Sequence, residues 1–203
     1  MKNIIQNIRR LFFDNSCTCC GEKASDNLIY LCYNCLDKIV RQKSLNKVGD
    51  TYYIWPYKGE FRKLLLEYKN NSRLALGKII SSLIEEEIFK VVYEEDIDYI
   101  VPIPINFRRE QIRGFNQVEE ILKNLNYSFL KTNRVKNTKK MFKILDKEKR
   151  ENNIKNSFKV DKEFKAKNIL IFDDIITTGA TIEEFKRELI KNGEVNKIVV
   201  FSL

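Results

Sequence analysis

The sequence predicts an α/β protein in which a parallel sheet is flanked by helices. The clearest strand is Ile169–Phe172, an apolar run without alternation, as expected of a strand that is covered on both faces. Tyr99–Val101 and the terminal segment Lys197–Leu203 are the next clearest strands. Helical patterns separate these strands, and strands that alternate with helices are typical of a parallel sheet.

The first segment, residues 1–13, is predicted to be an amphipathic helix that docks on the rest of the protein. Its apolar side chains recur at helical spacing, and they are Ile4, Ile5, Ile8, Leu11 and Phe12. Arg9 and Arg10 interrupt the apolar run and no small-residue cleavage site follows, so we do not interpret the segment as a signal peptide. Because no apolar run approaches the roughly 20 residues that span a bilayer, we expect a cytoplasmic protein.

Further elements follow from helical periodicity, β-branched content and turn residues. Helices are predicted at Leu36–Val40, Phe61–Lys69, Leu74–Tyr93 and from Val118 to Leu125. Strands are predicted at Thr51–Tyr57 and Phe129–Val135, and the polar stretch Arg41–Asp50 is interpreted as a linker. A last helix is predicted up to about Lys191, with Asn192 and Gly193 as its C-terminal cap.

Length and charge restrict the class of protein. The 203 residues are enough for one medium domain with a small appendage and a substantial core. The net charge of +9 fits a polyphosphate substrate, nucleic acid or an anionic membrane, although scattered lysines equally fit a compositional bias. The chain contains no histidine, which excludes histidine general bases and histidine metal ligands.

Cysteines near the N-terminus are spaced for a metal ion. Two Cys-x-x-Cys pairs, Cys17 with Cys20 and Cys32 with Cys35, offer four thiolates that can surround one Zn²⁺ tetrahedrally. Gly21 directly follows the first pair and suits a tight turn. A redox pair or buried free thiols are the alternatives, and disulfides explain the pattern poorly in a cytoplasmic chain.

Cys19 falls outside this spacing and is interpreted as a bystander or a backup ligand. A metal site closed by four thiolates has no open position for chemistry, and it would fold a segment too small to fold alone. We therefore expect a structural zinc. The chain is accordingly divided into residues 1–45, the N-terminal helix and the four-cysteine zinc segment, and residues 46–203, the main domain.

An acidic pair and a hydroxyl-rich turn follow the clearest strand. Asp173 and Asp174 stand at its carboxyl end, where open α/β sheets bind ligands, and carboxylates accept hydrogen bonds from sugar hydroxyls or hold Mg²⁺. In the turn Thr177–Thr181, backbone N–H groups and hydroxyls can bind a phosphate. This combination suits a ribose 5-phosphate, although Asp and Thr are also ordinary helix caps.

A second loop has the composition of an anion site. Arg108, Arg109 and Arg113, with Gly114, lie between the strand that ends at Val101 and the next predicted helix. The guanidinium group offers a rigid bidentate fork to phosphate. A solvated basic loop is the alternative interpretation.

These motifs together resemble a known family. The segment from Ile169 to Thr181 resembles the phosphoribosyl pyrophosphate (PRPP) motif of type I phosphoribosyltransferases: four apolar residues, two acids, two apolar residues and Thr-Thr-Gly-x-Thr. Val101-Pro-Ile-Pro, followed by Arg113-Gly-Phe-Asn-Gln, resembles the signature of the ComF family, phosphoribosyltransferase-like proteins linked to competence and DNA uptake in bacteria. Other family features are the cysteine segment, Tyr57-x-Gly59, Tyr68-Lys69 and Arg150-x-x-Asn153 with Phe158. The chain departs from the family at Met141, where a glutamine is usual.

The resemblance implies a type I phosphoribosyltransferase-like fold for residues 46–203 and a PRPP site in which Mg²⁺ bridges substrate oxygens. It places the candidate catalytic pair, Asp173 and Asp174, on the ribose hydroxyls. It assigns the 5-phosphate to Thr177, Thr178, Gly179, Ala180 and Thr181. It leaves the pyrophosphate to Arg108 and Arg113.

Three functions stay open at this point, because the sequence does not supply an acceptor. They are a phosphoribosyltransferase acting on a base or nucleic acid, a non-catalytic PRPP-sensing module, and a single-stranded DNA-binding accessory protein. Single-stranded DNA and a helicase of the uptake machinery are candidate partners. The lysine-rich segment Asn137–Asn156 corresponds by resemblance to the loop that closes over PRPP; it would equally suit single-stranded DNA, although it has few aromatic residues for base stacking.

Overall fold

The computed structural model describes residues 16–70, 73–136 and 153–203. The predicted N-terminal helix at residues 1–13, and most of the segment Asn137–Asn156, lie outside these residues. The helices are α1 (Tyr33–Arg41), α2 (Gly59–Asn70), α3 (Leu74–Glu94), α4 (Phe107–Arg113), α5 (Gln117–Asn124) and α6 (Ala180–Lys191). The strands are β1 (Asn46–Val48), β2 (Thr51–Tyr53), β3 (Tyr99–Pro102), β4 (Asn133–Arg134), β5 (Phe158–Lys159), β6 (Phe164–Asp173) and β7 (Gly193–Ser202).

A five-stranded sheet with the order β1-β2-β7-β6-β3 forms the centre of the fold. β2, β7, β6 and β3 run parallel, and β1 pairs antiparallel with β2. In the middle of the sheet, Ile171 of β6 lies between Val101 of β3 and Val200 of β7. The predicted α/β class, with a mostly parallel sheet flanked by helices, is confirmed. The type I phosphoribosyltransferase arrangement stays a prediction.

The two faces of β6 explain its unbroken apolar sequence. Leu170 and Phe172 belong to the core on the side of α2, α3 and α5. Ile169 and Ile171 belong to the core on the opposite side, with Phe185 of α6. Because successive strand residues point to opposite faces and helices cover both, every position from 169 to 172 must be apolar.

Four local predictions differ from the structure. The strand predicted at Thr51–Tyr57 ends at Tyr53. The predicted strand Phe129–Val135 is reduced to β4, because Leu130 gives its N–H to Ile100 O at 2.9 Å and the chain then turns to pair with β5. The predicted linker Arg41–Asp50 contains the short edge strand β1. The arginine-rich loop contains helix α4, which Asn106 starts by accepting the N–H of Arg108 at 3.0 Å.

The cysteine segment packs directly on the sheet domain. Cys32 and Cys35 belong to the same apolar cluster as Trp55 and Phe61, whose rings stack with centroids 4.4 Å apart. The Trp55 indole N–H donates to the carbonyl of Ile39 in α1 at 2.9 Å. The division of the chain at residue 45 stays a prediction. None of the described helices is long and apolar enough to cross a membrane.

Candidate functional site

The acidic pair lies at the carboxyl end of β6, at the centre of the parallel part of the sheet. Asp173 is the last residue of the strand and pairs in register with Ser202 of β7. Asp174 is 6% exposed, and its N–H donates to Asp173 Oδ1 at 2.8 Å. The two carboxylates are therefore held side by side at the edge of the sheet where parallel α/β proteins bind ligands.

Asp174 receives two donors from distant parts of the chain. Lys69 Nζ, from the last turn of α2, lies 2.7 Å from Asp174 Oδ2. The side-chain amide of Gln117, from the first turn of α5, donates to the same oxygen. Both donors offset the cost of burying this carboxylate, because a buried charge is tolerated only when it is paired and hydrogen-bonded.

Gln117 connects the acidic pair to an arginine and a tyrosine. The guanidinium of Arg113 donates to the Gln117 side-chain carbonyl. The Tyr68 hydroxyl donates to the Gln117 backbone carbonyl at 2.9 Å. Arg113, Gln117, Asp174 and Lys69 thus form one continuous polar chain beside the sheet edge.

The sequence between α4 and α5 explains why Gln117 points at the acidic pair. Gly114 ends α4 in the left-handed conformation, with φ of 84°, which glycine adopts without a Cβ penalty. Phe115 packs on Tyr68 with ring centroids 5.3 Å apart. Asn116 caps α5 by accepting the Val118 N–H at 3.2 Å and donates to the Ile103 carbonyl at 3.2 Å. The Arg-Gly-Phe-Asn-Gln motif is therefore a corner that fixes Gln117.

Burial and the neighbouring charge of Asp174 shift the pKa of Asp173. Burial, and then the charge of Asp174, raise the pKa of Asp173 to about 7. Lys69 and Arg134 act in the opposite sense and lower this pKa. A group that titrates near neutral pH in a cleft is a candidate functional group.

Arg113 and Arg108, which the family resemblance assigns to the same anion, occupy different surroundings. Arg113 is partly buried beside Gln117, and burial lowers its pKa while the charge of Asp174 raises it. Arg108 is exposed and lines a pocket of about 370 Å³ with Arg134 and Lys136. The structure thus brings Arg113, but not Arg108, to the acidic pair.

Arg134 is a basic residue of the site that sequence reasoning missed. Burial, and then repulsion by Arg109, lower its pKa to about 10, whereas the charge of Asp173 raises it. Its guanidinium lies over the Phe158 ring, 5.2 Å from the centroid. No motif marks Arg134, because it reaches the site only through the pairing of β4 with β5.

The hydroxyl-rich turn joins β6 to α6 at the same edge of the sheet. Gly179 is the N-cap of α6 in the left-handed conformation, with φ of 73°, and no side chain caps the helix. Thr177 and Thr178 are exposed, and Ala180 and Thr181 are partly exposed in the first helical turn. The first N–H groups of α6 are consequently open to an anion.

Cys17, Cys20, Cys32 and Cys35 converge on one point. Their sulfur atoms all lie within 4.8 Å of one another, and those of Cys20 and Cys32 are 3.7 Å apart. Thiolates bound tetrahedrally with Zn–S bonds of about 2.3 Å would be separated by roughly 3.8 Å. The described chain can therefore hold a metal ion at these residues, which belong to two separate turns.

The turn around Cys17 favours a thiolate. Gly21, with φ of 81°, donates its N–H to the Cys17 carbonyl at 2.8 Å and closes the turn. Burial alone would raise the pKa of the Cys17 thiol, but the backbone N–H groups of Cys20, Cys19 and Cys32 lower it to about 6. Metal ions bind the thiolate form.

Cys19 faces away from the cluster. Its Sγ donates to the Glu60 carbonyl of α2 at 3.4 Å, and burial raises the pKa of the thiol to about 12. Of the two interpretations of this cysteine, the bystander fits the structure, because a protonated thiol that bonds to a carbonyl is not a metal ligand.

The fold and the site define an α/β protein with an acidic ligand site at the carboxyl edge of a mostly parallel sheet and a four-cysteine cluster packed on its core. No family model matches the chain. It is 26% identical over 186 residues to DNA utilization protein YhgH of Escherichia coli K12, covering 87% of this chain and 78% of that protein. It is 30% identical over 161 residues to competence protein ComFC of Streptococcus pneumoniae, covering 74% and 66%.

It is also 27% identical over 201 residues to competence protein F of Haemophilus influenzae, covering 91% of this chain and 83% of that protein. These likenesses extend over most of the chain and agree with the motifs at Val101-Pro-Ile-Pro and Arg113-Gly-Phe-Asn-Gln. The chain belongs to the ComF family.

Proposed function

We propose that the protein binds PRPP together with Mg²⁺ at the carboxyl edge of its sheet and serves natural competence or the use of external DNA. The observation that carries this proposal is the convergence on Asp174. Gln117, from the Arg-Gly-Phe-Asn-Gln motif, and Asp174, from the acidic motif, meet through a side-chain hydrogen bond. Two motifs that are far apart in the chain thus build one site.

The acidic pair is suited to a ribose. Two carboxyl groups side by side can accept hydrogen bonds from two neighbouring hydroxyls, such as O2 and O3 of ribose. Asp174 Oδ2 is occupied by Lys69 and Gln117. Within the described chain no donor reaches Asp174 Oδ1, which leaves this oxygen for a ligand.

The turn Thr177–Thr181 supplies the 5-phosphate site in this proposal. The uncapped N-terminus of α6 directs N–H groups and the positive end of the helix dipole at the space beside the acidic pair. The exposed hydroxyls of Thr177 and Thr178 add donors. Gly179 keeps this approach free of a Cβ.

Basic side chains on the other side of the acidic pair supply the pyrophosphate site. Arg113 is the candidate nearest Asp174, and Arg108 shares a pocket with Arg134 and Lys136. Mg²⁺ would enter with the ligand and would neutralise part of its phosphate charge, since Mg²⁺ usually binds to substrate phosphates together with waters and few protein groups.

Transfer, if an acceptor binds, needs no nucleophilic side chain. The bond between ribose C1 and the pyrophosphate oxygen breaks, the electron pair leaves with pyrophosphate, and the acceptor atom forms the new bond to C1 with its lone pair and releases its proton to solvent. The protein would contribute charge stabilisation of the leaving group and positioning of the ribose. A PRPP-sensing module would use the same contacts without this step.

We also propose that the cysteine cluster holds a structural zinc ion. Cys17, Cys20, Cys32 and Cys35 fill all four positions of a tetrahedral zinc. Because Cys32 and Cys35 belong to the core, the metal would stabilise the fold and not take part in chemistry.

The relatives suggest the biological role. Two of them are named as competence proteins and one as a DNA utilization protein, and we extend that role to this chain. The net charge of +9 keeps single-stranded DNA as a candidate second ligand, and a helicase of the uptake machinery as a candidate partner.

Calorimetric titration with PRPP and Mg²⁺ tests the proposal. Saturable binding by the wild-type protein is expected, and Asp174→Ala should abolish it without unfolding the protein. Asp161→Ala, which removes an exposed aspartate two residues after β5, is the matched control and should bind normally. Unchanged affinity of Asp174→Ala would count against the site. Pyrophosphate release with candidate acceptors then separates a transferase from a sensor.

A further inference from the structure

Among the described residues, Lys69 is the basic residue whose side chain lies in direct contact with the acidic pair, and the 5-phosphate and pyrophosphate assignments give it no role. Its Nζ lies 2.7 Å from Asp174 Oδ2, and its side chain is 16% exposed. We propose that Lys69 is the positioning residue of the ligand site: it holds Asp174 by one oxygen and supplies the charge that lets both carboxylates meet the ligand ionised. This inference rests on the proposed PRPP site.

The last turn of α2 contacts both Gln117 and Asp174. Tyr68 binds the backbone carbonyl of Gln117 at 2.9 Å, and the next residue, Lys69, binds the carboxylate that Gln117 also binds. Tyr68 is fully buried, so the turn that carries Lys69 cannot shift without breaking a core contact. The ammonium group is therefore held in place by packing.

The direction of these donors determines which oxygen a ligand meets. Lys69 and Gln117 both bind Asp174 Oδ2. No donor in the described parts of the chain reaches Oδ1. A sugar hydroxyl would then meet Oδ1, whose orientation is fixed by the two contacts to the other oxygen.

The charge balance of the pair gives Lys69 a second role. Among the described residues, the charged groups that face Asp173 are Asp174, Lys69 and Arg134, and Arg113 faces Asp174. Of these cations, Lys69 has its ammonium on the acidic pair itself, whereas Arg113 contacts Gln117. Two adjacent carboxylates without a close cation tend to share a proton, and a protonated carboxyl is a poorer acceptor for a hydroxyl.

Removal of the Lys69 ammonium group should lower PRPP affinity at neutral pH, and this loss should disappear at higher pH. For Lys69→Met, PRPP affinity at pH 7 is expected to fall roughly fivefold, which is the loss of ionised carboxylate when a pKa near the pH rises by about one unit. At pH 9 the affinities of Lys69→Met and the wild-type protein should converge. Lys69→Arg keeps the charge and should restore wild-type affinity at both pH values.

The matched control is Lys90→Met, which removes an exposed lysine from α3 and should change nothing. A loss of affinity in Lys69→Met that is the same at pH 7 and pH 9 would show a merely structural role and overturn the proposal. Wild-type affinity of Lys69→Met at pH 7 would overturn it as well.

A second measurement does not depend on PRPP. Carboxyl-carbon NMR titration of the free protein should show the Asp173 carboxyl titrating at higher pH in Lys69→Met than in the wild-type protein and in Lys69→Arg. An unchanged titration curve would overturn the inference. If wild-type protein fails to bind PRPP, the proposed function fails, while this titration still decides the role of Lys69.

Discussion

Tyr68 and Gly77 lie so close together that a Cβ on Gly77 would be 2.9 Å from the Tyr68 hydroxyl oxygen. The same hydroxyl donates to the backbone carbonyl of Gln117, so the contact between α2 and α3 also sets the position of α5. Gly77→Ala should therefore destabilise the protein by about 1–3 kcal/mol, as overpacking of a filled core does, despite the better helix propensity of alanine.

Urea unfolding measures this effect. Ser82→Ala, at an exposed position of the same helix, is the control and should leave the free energy of unfolding nearly unchanged. If Gly77→Ala were as stable as the wild-type protein, the packing of α2 against α3 would not be as close as the structure has it. Such a result would contradict the view that this packing holds the Tyr68 hydroxyl on Gln117.

Gln117→Leu removes the amide that joins Arg113 to Asp174. A buried carboxylate loses a donor, and such a loss costs about 1–3 kcal/mol. We therefore expect lower thermal stability and a loss of PRPP affinity of about tenfold, corresponding to roughly 1.4 kcal/mol. Gln111→Leu, on the exposed side of α4, should bind PRPP like the wild-type protein; equal losses in both variants would contradict a specific role for Gln117.

Asp173→Asn is expected to raise the free energy of unfolding and to abolish PRPP binding. The pKa of Asp173 in the folded protein is about 7, above its ordinary value of 3.8, so folding favours the protonated carboxyl. The stability that this group contributes is complete below the unfolded pKa and is lost as the pH rises through about 7. Asparagine stays neutral, and its side-chain carbonyl can still accept the Asp174 N–H that Asp173 Oδ1 now accepts.

Asp173→Asn should accordingly be more stable than the wild-type protein at pH 8, by about 0.5–2 kcal/mol, and lose PRPP binding. The advantage should grow from pH 5 to pH 7 and then level off. Denaturation curves at several pH values measure it, with Asp161→Asn as the exposed control. An advantage that does not change with pH would refute the titration of Asp173 near neutrality.

Hydrophobic periodicity in the sequence predicted the helices and strands whose residues form one continuous pattern along the chain. The run Ile169–Phe172 marks β6, and the spacing within Leu74–Tyr93 marks α3, which ends one residue later. The acidic pair was also predictable, because its two residues are adjacent in the chain. The cysteine cluster was predictable because its four residues form two Cys-x-x-Cys pairs.

Contacts between distant elements could not be predicted in this way. Lys69 reaches Asp174 only after α2 has packed beside the sheet, and Arg134 enters the site through a two-residue strand that periodicity cannot detect. The predicted strand Phe129–Val135 is short for the same reason, since Phe129 and Leu130 pack on the two apolar clusters and only Asn133 and Arg134 pair with another strand. Tertiary packing decides such positions.

The cysteine cluster and Cys19 allow a clean test of metal binding, because one variant removes a cluster thiolate and the other removes a neighbour. Cys35→Ser should lose zinc, measured by mass spectrometry of the native protein, and melt at a markedly lower temperature, since the metal joins two turns that pack on Trp55 and Phe61. Cys19→Ser should keep one zinc per chain, because its hydroxyl can replace the thiol as donor to the Glu60 carbonyl. Loss of zinc from Cys19→Ser would instead make Cys19 a ligand, and a wild-type protein free of zinc with titratable thiols would remove the structural metal altogether.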